Sequence, residues 1–146
     1  MLIFNREGGL KEMKNKKKLL WVTAVLLMIG GIVLAIYLKS VGDYKRAVAE
    51  ISFSEVSPSQ VSDGVYIGEC DVEFIYARVS VVVENGTITD ISILEHKNGR
   101  GVSAENIVDT MLEAQSVDVD AVSGATNSSI VLKKAVENAL KKGLSQ

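Results

Sequence analysis

The stretch Asp120-Ala121-Val122-Ser123-Gly124-Ala125-Thr126, set directly ahead of an amphipathic helical pattern, has residue types suited to carrying a phosphorylated group. Thr126 offers a hydroxyl that can be esterified. Gly124 and Ala125 leave room for a bulky substituent, and the helix expected after them supplies amide N–H groups at the positive end of its dipole. A phosphate suits such a helix start. A threonine hydroxyl is a poor nucleophile at neutral pH, and its attack on a phosphoanhydride needs a base and charge neutralisation, usually Mg²⁺ with carboxylates or basic side chains. The sequence around Thr126 shows no such constellation, so modification by a separate enzyme is expected. The plainer reading is an ordinary helix N-terminus, with Ser123, Thr126 or Ser128 as cap and Gly124 at positive φ.

The elements that must position this turn are legible on either side of it. Val65 to Glu69, Phe74 to Glu84 and Thr87 to Glu95 are rich in β-branched and aromatic residues. Val79, Val81 and Val83 alternate with Arg78, Ser80, Val82 and Glu84, and Asn85-Gly86 is a two-residue hairpin turn leading to Ile88, Ile91 and Ile93. Ser103 is placed to cap a helix running to Gln115, with Ile107, Val108, Met111 and Leu112 as its stripe, and Val117 and Val119 read as a short extended piece. The last helix has the stripe Val131, Leu132, Ala135, Val136, Ala139 and Leu140, with Lys133, Lys134, Lys141 and Lys142 on its wet side. The expected fold class is α+β, a small antiparallel β-meander packed with two helices, preceded by one N-terminal transmembrane helix.

That helix is Leu19 to Leu38, an uncharged apolar run whose ~1.5 Å rise per residue covers the ~30 Å hydrocarbon layer. Arg6, Lys11, Lys14, Lys16, Lys17 and Lys18 precede it, which places the N-terminus in the cytoplasm and everything from Lys39 onward outside. A cleaved signal is the rival reading, but the run exceeds the usual signal core and LAIYLKS offers no A-x-A site. Met13 opens MKNKKKLLW and is a candidate alternative start that keeps this orientation. The expected organisation is a basic cytoplasmic segment (1–18), the membrane helix (19–38), a juxtamembrane helix and linker (39–62) and a compact domain (63–146). The linker, 54–63, is expected to let the domain swing.

From Lys39 onward there are 10 Lys+Arg against 16 Asp+Glu, a net −6 with scattered basic residues, which excludes a nucleic-acid binder. The lone Cys70 cannot form an internal disulfide, and with the single His96 it cannot by itself build a thiolate–imidazole metal site, so no metal site is expected.

Three ordered blocks carry a resemblance. DGVYIGE (63–69), VVVENGTITDISILEH (81–96) and AQSVDVDAVSGATNSS (114–129) together resemble the small FMN-binding domain found in the flavin-carrying C subunit of the sodium-pumping NADH:quinone reductase, in the G subunit of related electron-transport complexes and in short membrane-anchored modules. In that family the last Thr of Asp-x-x-Ser-Gly-Ala-Thr bears FMN through a phosphoester, installed from FAD by a separate flavin transferase. The resemblance therefore implies Thr126 as the acceptor, with Asp120, Ser123, Gly124 and Ala125 as the transferase's recognition sequence and Ser128 at a further position often Thr or Ser. It also implies a cell-membrane flavoprotein, its FMN domain extracytoplasmic, that relays electrons from a membrane oxidoreductase or quinone-linked donor to an external acceptor.

Around that assignment other residues keep two readings each. His96 is either a flavin-ring partner, at a strand end beside Lys97-Asn98-Gly99-Arg100-Gly101, or a surface histidine. Lys97 and Arg100 are either counter-charges to the cofactor or solvated loop residues, and Gly99 and Gly101 either admit a flat ring or simply shape a loop. Gln115 and Ser116 either meet the flavin's polar edge or end a helix, and Tyr66 and Tyr76 either stack on the ring or belong to the core and rim. Cys70 reads as a packed residue rather than a redox thiol. Two alternatives to electron relay are a small exported flavin-dependent reductase and a non-redox membrane-associated binding or regulatory module. The absence of an evident catalytic dyad disfavours the first, and the intact motif the second.

Overall fold

A computed structural model describes residues 6–99 and 101–144, with side chains from Asn15 onward. The side chains of Arg6, Lys11 and Lys14 and the whole of Arg100 thus lie outside the described residues. The chain divides into two units, Met1–Asp43 and Tyr44–Gln146. The first is made of helix α1 (Arg6–Ala49), whose last residues pass into the second. The part Asn15–Ala49 is long and apolar enough to cross a membrane, a property that signal sequences share, and its side chains from Leu19 to Leu38 are exposed.

The second unit is built on a three-stranded antiparallel meander, β1 (Gly64–Val72), β2 (Ile75–Glu84) and β3 (Thr87–Lys97), in the order β1-β2-β3. Asn85 and Gly86 at φ 51° and 71° form the tight β2–β3 turn that their residue types favour. The alternation on β2 is realised in full: Ile75, Ala77, Val79, Val81 and Val83 are buried, while Arg78 and Glu84 are exposed. Helix α3 (Thr126–Gly143) lies across this face against β1 and β2, burying Val131, Leu132, Ala135, Val136, Ala139 and Leu140 completely. Helix α2 (Ile107–Ala114) packs beside β3 and sends Ile107 and Met111 into the same core. At about 1.5–3 kcal/mol for each large apolar side chain removed from water, this sheet–helix seam is the main stabilising layer. The α+β architecture matches the sequence pattern.

Three local expectations are corrected. Ser103 does not cap a helix; it lies in a 3₁₀ turn, Val102–Asn106, and α2 begins only at Ile107 with no side-chain cap. Val117 to Val119 is not a simple extended piece: the Val119 N–H folds back onto the Val117 carbonyl at 3.0 Å, and buried Val117 pins the segment to the core. Residues 54–63 are not a free tether. Val56 and Val61 are buried, Pro58 is buried in a short 3₁₀ turn (Pro58–Gln60), and the Ser54 N–H donates to Glu137 at 3.1 Å.

Candidate functional site

The turn ahead of α3 is shaped by Gly124 and fastened by Ser129. Gly124 sits at φ +80°, which a side chain would strain, and turns the chain into the helix. Ser129, fully buried, accepts the Val122 N–H at 3.0 Å and donates to the Ala125 carbonyl at 3.1 Å, so one hydroxyl ties both ends of the turn to the first helical turn. No side chain caps α3, so the plain capping reading of Ser123, Thr126 and Ser128 does not hold. Thr126 is instead the first helical residue, exposed, beside first-turn amides that have no carbonyl four residues back to pair with.

Thr126 lines a cleft of about 760 Å³. Its floor and one side come from Gly124, Ala125, Thr126, Asn127 and Ser128. Facing them are His96, Lys97, Asn98, Gly99 and Gly101 from the end of β3 and the loop after it, and Tyr44, Phe74 and Ile75 complete the rim. A Cβ on Gly101 would run into the Ser128 side chain, so the close approach of this loop to α3 depends on glycine there. Asp120 and Ser123 are exposed and do not line the cleft.

His96 reaches the cleft through a β-bulge. Val79 pairs with Ile93 but Arg78 pairs with Glu95, leaving Leu94 as an extra residue on β3. The shift turns His96 to the side of its partner Ala77, which is fully buried, and the imidazole is only 2% exposed. It is not a surface histidine. Its Nδ1 lies 2.9 Å from Glu105 Oε1, and because a carboxylate accepts, Nδ1 carries the hydrogen in this arrangement. Asn98 closes the loop by accepting the Gly101 N–H at 3.1 Å. His96 Nε2 is buried and has no hydrogen-bond partner, so it needs an outside group to satisfy it.

Several other candidates are placed elsewhere. Gln115 is the left-handed C-cap of α2 (φ 53°), and its amide binds both backbone groups of Ile88, at 2.7 and 2.9 Å, which leaves it no part in the cleft. Tyr66 donates to the Ser62 carbonyl and Tyr76 to Glu69, both at 2.7 Å and both away from the cleft; the Glu69 carboxylate raises the Tyr76 phenol above its ordinary value. Burial pushes the Cys70 thiol up, as befits a packed residue. Lys97 lines the cleft with a largely solvated side chain. The sequence reasoning missed Ser129, Glu105, Asn98, Tyr44 and Phe74. Ser128 and Ser129 did carry a signal, because the α3 stripe extended back one turn from Leu132 falls on them, and a polar residue at a core position asks for a partner.

An uncapped helix start, an exposed hydroxyl, a roomy cleft and an orphaned buried imidazole nitrogen together fit a phosphate-bearing ligand with a polar head, so the fold and site define a small cofactor-holding α+β domain. Residues 74–141, a little under half of the chain, match the family model of the FMN-binding domain. That match supports flavin binding by this domain. No curated protein matches the chain.

Proposed function

We propose that the chain is a membrane-anchored flavoprotein that carries FMN covalently on Thr126 and relays electrons between a membrane oxidoreductase or quinone-linked donor and an acceptor outside the membrane. The observation that carries this reading is the exposed Thr126, first residue of an uncapped helix, lining the cleft in a stretch that matches the FMN-binding domain. Attachment joins the Thr126 oxygen to the FMN-side phosphorus of FAD; the pyrophosphate bond breaks, AMP leaves, and the hydroxyl proton passes to a base. Among the described residues no cluster of His, Cys, Asp or Glu is placed to hold a metal, which supports a separate flavin transferase as the source of base and metal. Asp120 and Ser123, exposed beside the turn, suit recognition by that enzyme.

The bound flavin supplies two-electron uptake and one-electron release. The chain's own residues hold it. The helix start would hold the phosphodiester, an arrangement worth about 0.3–1 kcal/mol, and His96, oriented by Glu105, would offer Nε2 to the flavin. The apolar helix keeps the domain at a membrane surface, with Lys16, Lys17 and Lys18 favouring a cytoplasmic N-terminus. The reading is tested by co-expression with a flavin transferase, followed by denaturation, in-gel flavin fluorescence and intact-mass measurement. Wild type should gain one FMN less one water and fluoresce, and Thr126→Ala should do neither. An unmodified wild-type mass, or fluorescence persisting in Thr126→Ala, would overturn it.

A further inference from the structure

We infer that the end of the apolar helix forms part of the flavin site: Tyr44, with Phe74, makes an aromatic wall on which the ring system of the flavin tied to Thr126 lies. This rests on the attachment reading above. Tyr44 lies in the last turns of α1, outside the stretch that matches the FMN-binding domain, whereas Phe74 is its first matched residue. The two rings meet edge to face at a centroid distance of 5.5 Å, and both line the same cleft as Thr126. Phe74 is 46% exposed although it borders a buried core, an apolar surface that a flat hydrophobic ring would cover. The same cleft also has a polar lining, with buried His96 Nε2 unpaired, and a flavin likewise combines an aromatic face with a hydrogen-bonding edge. Tyr44 is held for the purpose. It packs against the core together with Ala47, Val48 and Ile51, so the residues after Asp43 belong to the folded unit and present the phenol at a fixed place. The segment that joins domain to anchor is thereby a positioning element for the cofactor.

The test uses the full-length chain, matured with a flavin transferase and kept in detergent, and reads fluorescence per bound flavin, with bound flavin counted by intact mass. A tyrosine stacked on the ring quenches its emission by electron transfer. Tyr44→Leu keeps apolar volume and should raise emission per flavin severalfold and alter the visible circular dichroism. Phe74→Leu should alter the circular dichroism as well, and Tyr76→Leu, whose tyrosine lies outside the cleft, should leave both signals at the wild-type level. Thermal melting shows that Tyr44→Leu is folded; should it melt early, Tyr44→Phe supplies a milder change in the same direction. Wild-type emission and circular dichroism in both Tyr44→Leu and Tyr44→Phe would overturn the wall while leaving attachment intact, whereas a wild-type chain without added mass would overturn attachment and the wall together.

Discussion

Ser129 shows how much of the turn before α3 depends on one buried hydroxyl. It satisfies Val122 N–H and engages the Ala125 carbonyl from a fully buried position, so Ser129→Ala leaves a donor without its partner and loosens the turn that presents Thr126. The expected cost is roughly 1–3 kcal/mol, read from denaturant unfolding, together with a lower flavin load per chain under the same transferase. Unchanged stability would mean that the turn is held by Gly124 and the helix alone. That the motif is a turn running into a helix was legible from its residue types, whereas its reading as an attachment point came from the three-block resemblance. The placement of His96 was not legible. Counting by twos from Ile93 puts Glu95 inward and His96 outward, and only the bulge at Leu94 reverses that order. A bulge depends on pairing across strands, which a single strand's sequence does not display.

At the scale of elements, α3 serves two masters: its first turn presents Thr126 to the cleft, and its later turns hold residues 52–61 against the domain. Glu137 is the fastening point. Its carboxylate is fully buried, accepts the Ser54 N–H and pairs with Lys141 and with Lys134, which in turn donates to the Ser52 carbonyl at 2.7 Å. Burial alone would raise this carboxyl, but the bonds from Lys141, Ser54 and Lys134 outweigh it and hold it below its ordinary value of 4.5. A depressed carboxyl contributes stability that is complete above its unfolded value and is lost as pH falls through the folded one. Wild type should therefore lose stability as pH drops below about 4.5, and Glu137→Gln should cost roughly 1.5–3 kcal/mol at neutral pH with a difference from wild type that narrows in acid. Melting curves of both proteins across pH 3–7 check this, and a constant gap would remove Glu137 as the source. The strands and both helices were readable from alternation and stripe, since those are local periodicities. The packing of 54–63 was not, because its Ser-rich composition resembles a linker and its anchors lie about 80 residues away in sequence.

For the whole molecule, the fastened segment changes how a tethered carrier can work. A domain at the end of a free ten-residue linker would sweep widely, but here the chain from Tyr44 to Asp63 is part of the folded unit. Glu50, just before this fastened strap of residues 52–61, and Glu55, within it, are exposed, so a protease that cuts after glutamate reports its state directly. If the strap is closed, cleavage at these two sites needs local opening, and its rate follows the small open population rather than side-chain exposure. The native, detergent-held chain should resist cleavage there long after an unfolded control is cut, and Glu137→Ala, which frees Ser54 and releases Lys134 and Lys141, should be cut at least several times faster. Equal rates in wild type and Glu137→Ala, both matching the unfolded control, would restore a free tether and with it a swinging carrier. Slow wild-type cleavage accelerated by the substitution would instead show that this segment is closed onto the domain and that Glu137 holds it there.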